Sequence, residues 1–114
     1  MDAKSYRLVT TTLLGAAFGI LCMLLSNFTV GVAYWPMGIS FLLHHTVMGL
    51  AIGASSLKMD WTVHGVFWGA VFGLFLAISR VWTIQPPWMV FIAVVIWAFL
   101  IEALTTKVFK RPQL

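Results

Sequence analysis

Two layers of polar side chains interrupt an otherwise apolar chain, and they hold most of the chemistry it could do. The first is His44 and His45, with Cys22, Ser26, Met23 and Met48 at similar depth by counting along the sequence. Imidazole, thiol and thioether are the donor set of a soft, copper-type metal site. The spacing limits that reading. There is no His-x-His or Met-x-x-Met run, and adjacent residues on a helix diverge by about 100°, which keeps two neighbouring imidazoles from facing one ion together. The alternative is neutral histidines hydrogen-bonded across helices, with Met48 as packing.

The second layer collects Thr10, Thr11, Thr12, Ser55, Ser56, His64, Glu102, Thr105 and Thr106. Glu102 is the only acid inside an apolar run, and a carboxylate turned inward at that depth needs a partner. His64 and Lys58 are the candidates, and a Glu–His pair would respond to protons or cations because histidine titrates near neutrality. The competing expectation is that Glu102 snorkels to the membrane surface and pairs loosely with Lys107.

Beyond these layers little chemistry is available. The chain has three acids in all, and it shows no Gly-rich phosphate loop, no His-Glu-x-x-His, no paired carboxylates and no nucleophile with a nearby base and acid. A single cysteine excludes an intramolecular disulfide and a Cys-based zinc site. No catalytic residue and no cofactor are expected.

The elements that must position the two layers follow from charge patterning. Of the 114 residues 61% are hydrophobic and 9% charged. Leu8 to Leu57, Trp61 to Ser79 and Val81 to Ile101 contain no Asp, Glu, Lys or Arg. A water-soluble domain of this size needs a polar surface that these runs cannot supply. A membrane span takes about 20 apolar residues, so the pattern predicts four spans, at 7–27, 37–57, 62–80 and 87–107. The breaks fall at Ser26 to Pro36, Ser55 to Trp61 and Arg80 to Pro87, where turn formers, glycine and proline cluster. Pro36 suits the first turn of a helix, which needs no donor there. The segment from Leu8 is long for a signal peptide and lacks a good cleavage site, and Leu21 spoils a lipobox at Cys22, so a retained first span is expected. Asn27-Phe28-Thr29 fits a glycosylation sequon but lies almost within the membrane.

The net charge of +4 and pI near 9.7 reflect orientation rather than nucleic-acid binding. Lys4, Arg7, Lys58, Lys107, Lys110 and Arg111 fall on one side and Arg80 alone on the other, where it serves as an interface anchor beside Trp82. The positive-inside rule therefore places both termini in the cytoplasm. Tyr34, Trp35, Trp82 and Trp88 then mark the outer interface, and Tyr6 and Trp61 the inner one.

An internal repeat overlies the spans. Gly15-Ala16-Ala17-Phe18-Gly19 matches Gly69-Ala70-Val71-Phe72-Gly73, and Ala54 to Lys58 resembles Ala103 to Lys107. The expected fold is an all-α, four-transmembrane-helix bundle of two parallel helical-hairpin repeats. Gly15-x-x-x-Gly19, Gly49-x-x-x-Gly53, Gly65-x-x-x-Gly69 and Gly69-x-x-x-Gly73 form flat strips that admit close helix packing, within the bundle or between subunits. The fourth span has no glycine, which suggests that it faces lipid or a bulky partner.

The size and span count resemble the small multidrug-resistance transporters, but their membrane-embedded Glu in the first helix has no counterpart here. His45-x-x-x-Gly49-x-x-Ile52-Gly53, Trp61-x-x-His64-Gly65-x-x-x-Gly69 and Glu102-x-x-x-x-Lys107-Val108-Phe109 resemble a group of small, uncharacterised prokaryotic four-helix membrane proteins. That resemblance covers the last two-thirds of the chain and implies a fold in a cytoplasmic membrane, without an activity. Three functions are expected to compete. The first is a non-catalytic accessory or assembly subunit that packs against other membrane-protein subunits. The second is a homo-oligomeric transporter or channel, and the third a metal-binding protein using His44 and His45.

Overall fold

The structure is a computed structural model and describes residues 2–30, 35–55, 59–79 and 87–109. Four helices follow one another: α1 (Ala3–Val30), α2 (Trp35–Ala54), α3 (Trp61–Ser79) and α4 (Pro87–Ala103), the last continuing into a π-helical turn over Leu104–Val108. No strand occurs among the described residues. Within the helices, Ala3–Leu24, Trp61–Ile78 and Trp88–Val108 are long and apolar enough to cross a membrane. The long dimension of the bundle is 41 Å, close to the roughly 40–45 Å of a bilayer with its headgroups.

Local chemistry explains the helix ends. Asp2 opens α1 by accepting the Ser5 N–H on Oδ1 at 2.8 Å. Asp60 opens α3, where its carboxylate accepts the Thr62 hydroxyl and backbone N–H, and its carbonyl accepts the His64 N–H at 2.8 Å. Both acids thus occupy the positive ends of helices. Pro36 and Pro87 lie in the first turns of α2 and α4. The expected break after residue 27 comes later, because α1 runs on to Val30. Ser26 to Val30 contains neither proline nor glycine, and the propensity cost of Ser, Asn and Thr is too small to stop a helix.

α1 packs antiparallel on α2, and α3 on α4. In the first pair a Cβ at Gly15 would run into the His45 carbonyl, one at Gly49 into the Thr11 carbonyl, and one at Gly53 into the Thr11 hydroxyl. Gly15 and Gly49 require glycine because backbone meets backbone there, and Gly53 because the Thr11 hydroxyl and the Leu8 Cα occupy the space. In the second pair the glycines receive side-chain-bearing residues of α4. A Cβ at Gly69 would stand 2.7 Å from Val95 Cα, at Gly65 3.1 Å from Glu102 Cβ, and at Gly73 3.1 Å from the Phe91 carbonyl. The glycine strips are therefore used inside the chain.

The fourth helix, expected to face lipid or a bulky partner, turns one face outward and packs the other into the core. Val90, Val94, Ala98 and Ile101 of α4 are buried and join Met48 and Ile52 of α2 and Leu76 of α3 in the core. α4 lacks glycine because its side chains fill the groove that the α3 glycines leave open. Its opposite face, with Trp88, Met89, Ile92 and Ile96, is exposed. Phe18 of α1 stacks on Trp97 of α4 at 5.0 Å between ring centres and ties the two helix pairs together.

Candidate functional site

α3 carries two neighbouring rows at helical spacing. Gly65, Gly69 and Gly73 face α4, and the adjoining row of His64, Trp68, Phe72 and Leu76 turns inward. The inward row meets polar groups at both ends.

At one end Glu102 is fully buried, and so is His64. Arg7, 2% exposed, reaches in from the fifth residue of α1. Its Nη2 donates to both Glu102 oxygens, Oε1 at 3.0 Å and Oε2 at 2.9 Å. The same nitrogen lies 3.5 Å from the Ile52 carbonyl, near the negative C-terminal end of α2, which favours a cation. His64 Nδ1 lies 2.9 Å from Glu102 Oε2, and the Thr106 hydroxyl donates to Oε1 at 3.0 Å. Each carboxylate oxygen thus accepts two bonds, which fills its acceptor capacity.

Trp68 settles the proton on His64. The indole Nε1–H donates to His64 Nε2 at 3.2 Å, and an indole nitrogen can only donate. Nε2 is therefore the bare nitrogen, and the ring proton sits on Nδ1, pointing at Glu102. The cluster in this arrangement balances one guanidinium against one carboxylate, with a neutral imidazole between the carboxylate and the indole.

Of the expected partners for Glu102, His64 is brought to it. Lys58 lies outside the described residues, as do Ser56, Tyr34, Arg80, Trp82, Lys110 and Arg111. The expected snorkelling toward Lys107 is overturned. Lys107 is exposed and its ammonium lies 5.4 Å from the centre of the Trp61 ring, while Glu102 points inward. Thr10 and Thr12 spend their hydroxyls on the Tyr6 and Leu8 carbonyls of their own helix. Thr11 is buried against Gly53, and Thr105 is buried too. Sequence reasoning missed Arg7 and Trp68. The charge pattern reads Arg7 as an orientation signal, although a buried acid near the end of α4 calls for a cation at the same depth. Trp68 stands one turn after His64, the spacing at which helix side chains meet.

At the other end, His44 is half-buried and donates from Nε2 to the Phe72 carbonyl at 3.0 Å, the only sense possible for a carbonyl acceptor. The His44 and His45 rings are 5.3 Å apart and steeply inclined, at 74°. With Nε2 of His44 donating to a backbone carbonyl, Nδ1 is the nitrogen that carries the lone pair. Among the described residues no three His, Cys, Asp or Glu side chains group to hold an ion. Cys22 is half-buried beside the apolar core.

Comparison with protein-family models, curated proteins and solved structures produced no match to this chain.

Proposed function

We propose that the chain is a four-span protein of a prokaryotic cytoplasmic membrane, with both termini in the cytoplasm, that acts without catalysis as an accessory or assembly subunit of a larger membrane complex. One observation carries this reading. Arg7, Glu102 and His64 bond one another inside the chain, while the outward faces present Leu13, Leu43, Phe75, Ile78, Ile96 and other apolar side chains. A transport path through Glu102 and His64 would have to expose two fully buried groups whose hydrogen bonds are already made.

Further features agree. α2 has 20 residues, about 30 Å at 1.5 Å per residue, which matches the hydrocarbon core. The exposed Lys4 and Lys107 flank the end that holds the cluster, as the positive-inside rule requires of a cytoplasmic face. The proposed duplication is supported by the contacts. Thr11–Gly53, Gly15–Gly49 and Gly19–Leu42 correspond to Gly65–Glu102, Gly69–Ala98 and Gly73–Phe91 under constant shifts of 54 and 49 residues. Glu102 then occupies the place of a glycine in the first half. Membership of the small four-helix membrane proteins that the chain resembles belongs to the same proposal.

The test is native mass measurement after gentle extraction from the chain's own membrane. A reproducible heteromeric assembly supports the subunit reading. A pure homo-oligomer overturns it in favour of transport, and an isolated monomer overturns both.

A further inference from the structure

We propose that His64 is a proton-operated latch between the two helix pairs, closed when the imidazole is neutral. The geometry leaves His64 one acceptor and one donor, and both are used: Nε2 accepts from Trp68 and Nδ1–H donates to Glu102. A second proton has only Nε2 to occupy, and there it would face the Trp68 N–H donor to donor. Taking up that proton therefore means releasing the indole.

Release would not stay local. Trp68 packs against Phe67 and Phe72, at 5.4 and 6.1 Å between ring centres, and lies against the buried core. Phe72 in turn meets His44 of α2 twice, through its ring at 5.5 Å and through its carbonyl. Movement of Trp68 thus loosens the row by which α3 engages α2. The added charge also upsets the balance of the cluster. Among the described residues, the charged groups facing His64 are Arg7 from α1 and Glu102 from α4. α2 contributes the Ile52 carbonyl to Arg7, the π-turn contributes the Thr106 hydroxyl to Glu102, and Asp60 takes the His64 backbone N–H. The carboxylate is already matched by Arg7, so a protonated His64 leaves the buried cluster with one positive charge in excess, which is costly without a new partner or water.

The experiment uses the full chain in lipid nanodiscs, titrated from about pH 8 to about pH 5, the range in which histidine changes charge. Tryptophan emission and the α2–α3 distance, read by a probe pair, are followed. The latch predicts a reversible single-proton transition in both signals, absent from His64→Gln, whose neutral amide can still donate to Glu102 and accept from Trp68. An identical transition in His64→Gln, or none in the wild type, overturns it. Nitrogen-15 NMR of labelled histidines in the wild type gives a second test that needs no variant. The Nδ1–H tautomer of His64 at the alkaline end supports the latch, and the Nε2–H tautomer contradicts it.

Discussion

Arg7 and Glu102 lie 95 residues apart in the chain and meet as a buried ion pair, with Nη2 2.9 Å from Oε2. One comes from the start of α1 and the other from the end of α4, so the bond joins the two helix pairs. The pair removes the cost of leaving either charge alone in a dry interior. It would add little over well-packed apolar side chains of the same shape. Its contribution is to fix which ends of the two helix pairs meet.

The glycine contacts rank themselves by what they face. Gly49→Ala pushes a methyl into the Thr11 carbonyl, and the backbone cannot turn aside. Loss of about 1–3 kcal/mol is expected. Gly73→Ala meets the Phe91 ring and carbonyl at just over 3 Å, and its helix-propensity gain of about 1 kcal/mol offsets the crowding. Its stability should stay within about 1 kcal/mol of wild type. Unfolding in mixed micelles measures both, and equal losses would contradict the asymmetry.

Asp60 supplies a pH dependence outside the membrane. The Thr62 hydroxyl, followed by the backbone N–H groups of the helix start and by Lys107, holds its carboxyl below the usual carboxylate range. A lowered folded-state value means that the stabilising effect is present above the ordinary carboxylate pKa and is lost as pH falls through the folded one. Asp60→Asn keeps the cap but cannot titrate, so its melting temperature should fall less on acidification than that of the wild type. Parallel acid limbs would contradict this role.

Lys107 provides a control on the site. Its exposed contact with Trp61 should be worth about 0.5–1 kcal/mol. Lys107→Gln is expected to lower stability by no more than that and to leave the tautomer of His64 unchanged by nitrogen-15 NMR. A large loss would restore Lys107 as a partner of Glu102.

Much of the scaffold is legible from charge-free runs and from Pro36 and Pro87, because hydrocarbon admits few alternatives to apolar helices. The pairing of Glu102 with His64 is legible as well, since both are polar at one depth. Arg7 is not, because a residue near the end of a span satisfies the positive-inside pattern whether its side chain points to water or inward. The inward stripe of α4 is also hidden, since apolar side chains face core and lipid alike and leave no periodic signal. The tautomer of His64 depends on Trp68 turning its N–H toward the imidazole, which spacing permits but does not require.

The most direct measurement is a double-mutant cycle on Arg7 and Glu102, read as unfolding free energy in micelles. Arg7→Met strands a buried carboxylate and Glu102→Gln strands a buried guanidinium, and each should cost about 3–5 kcal/mol. Glu102→Gln keeps a group that His64 and Thr106 can bond, so the combined variant carries no unmatched charge. The account predicts that the combined loss falls short of the sum of the single losses by about 2 kcal/mol or more. Simple additivity would show that the two side chains do not depend on each other, and the cluster would not be what joins the helix pairs.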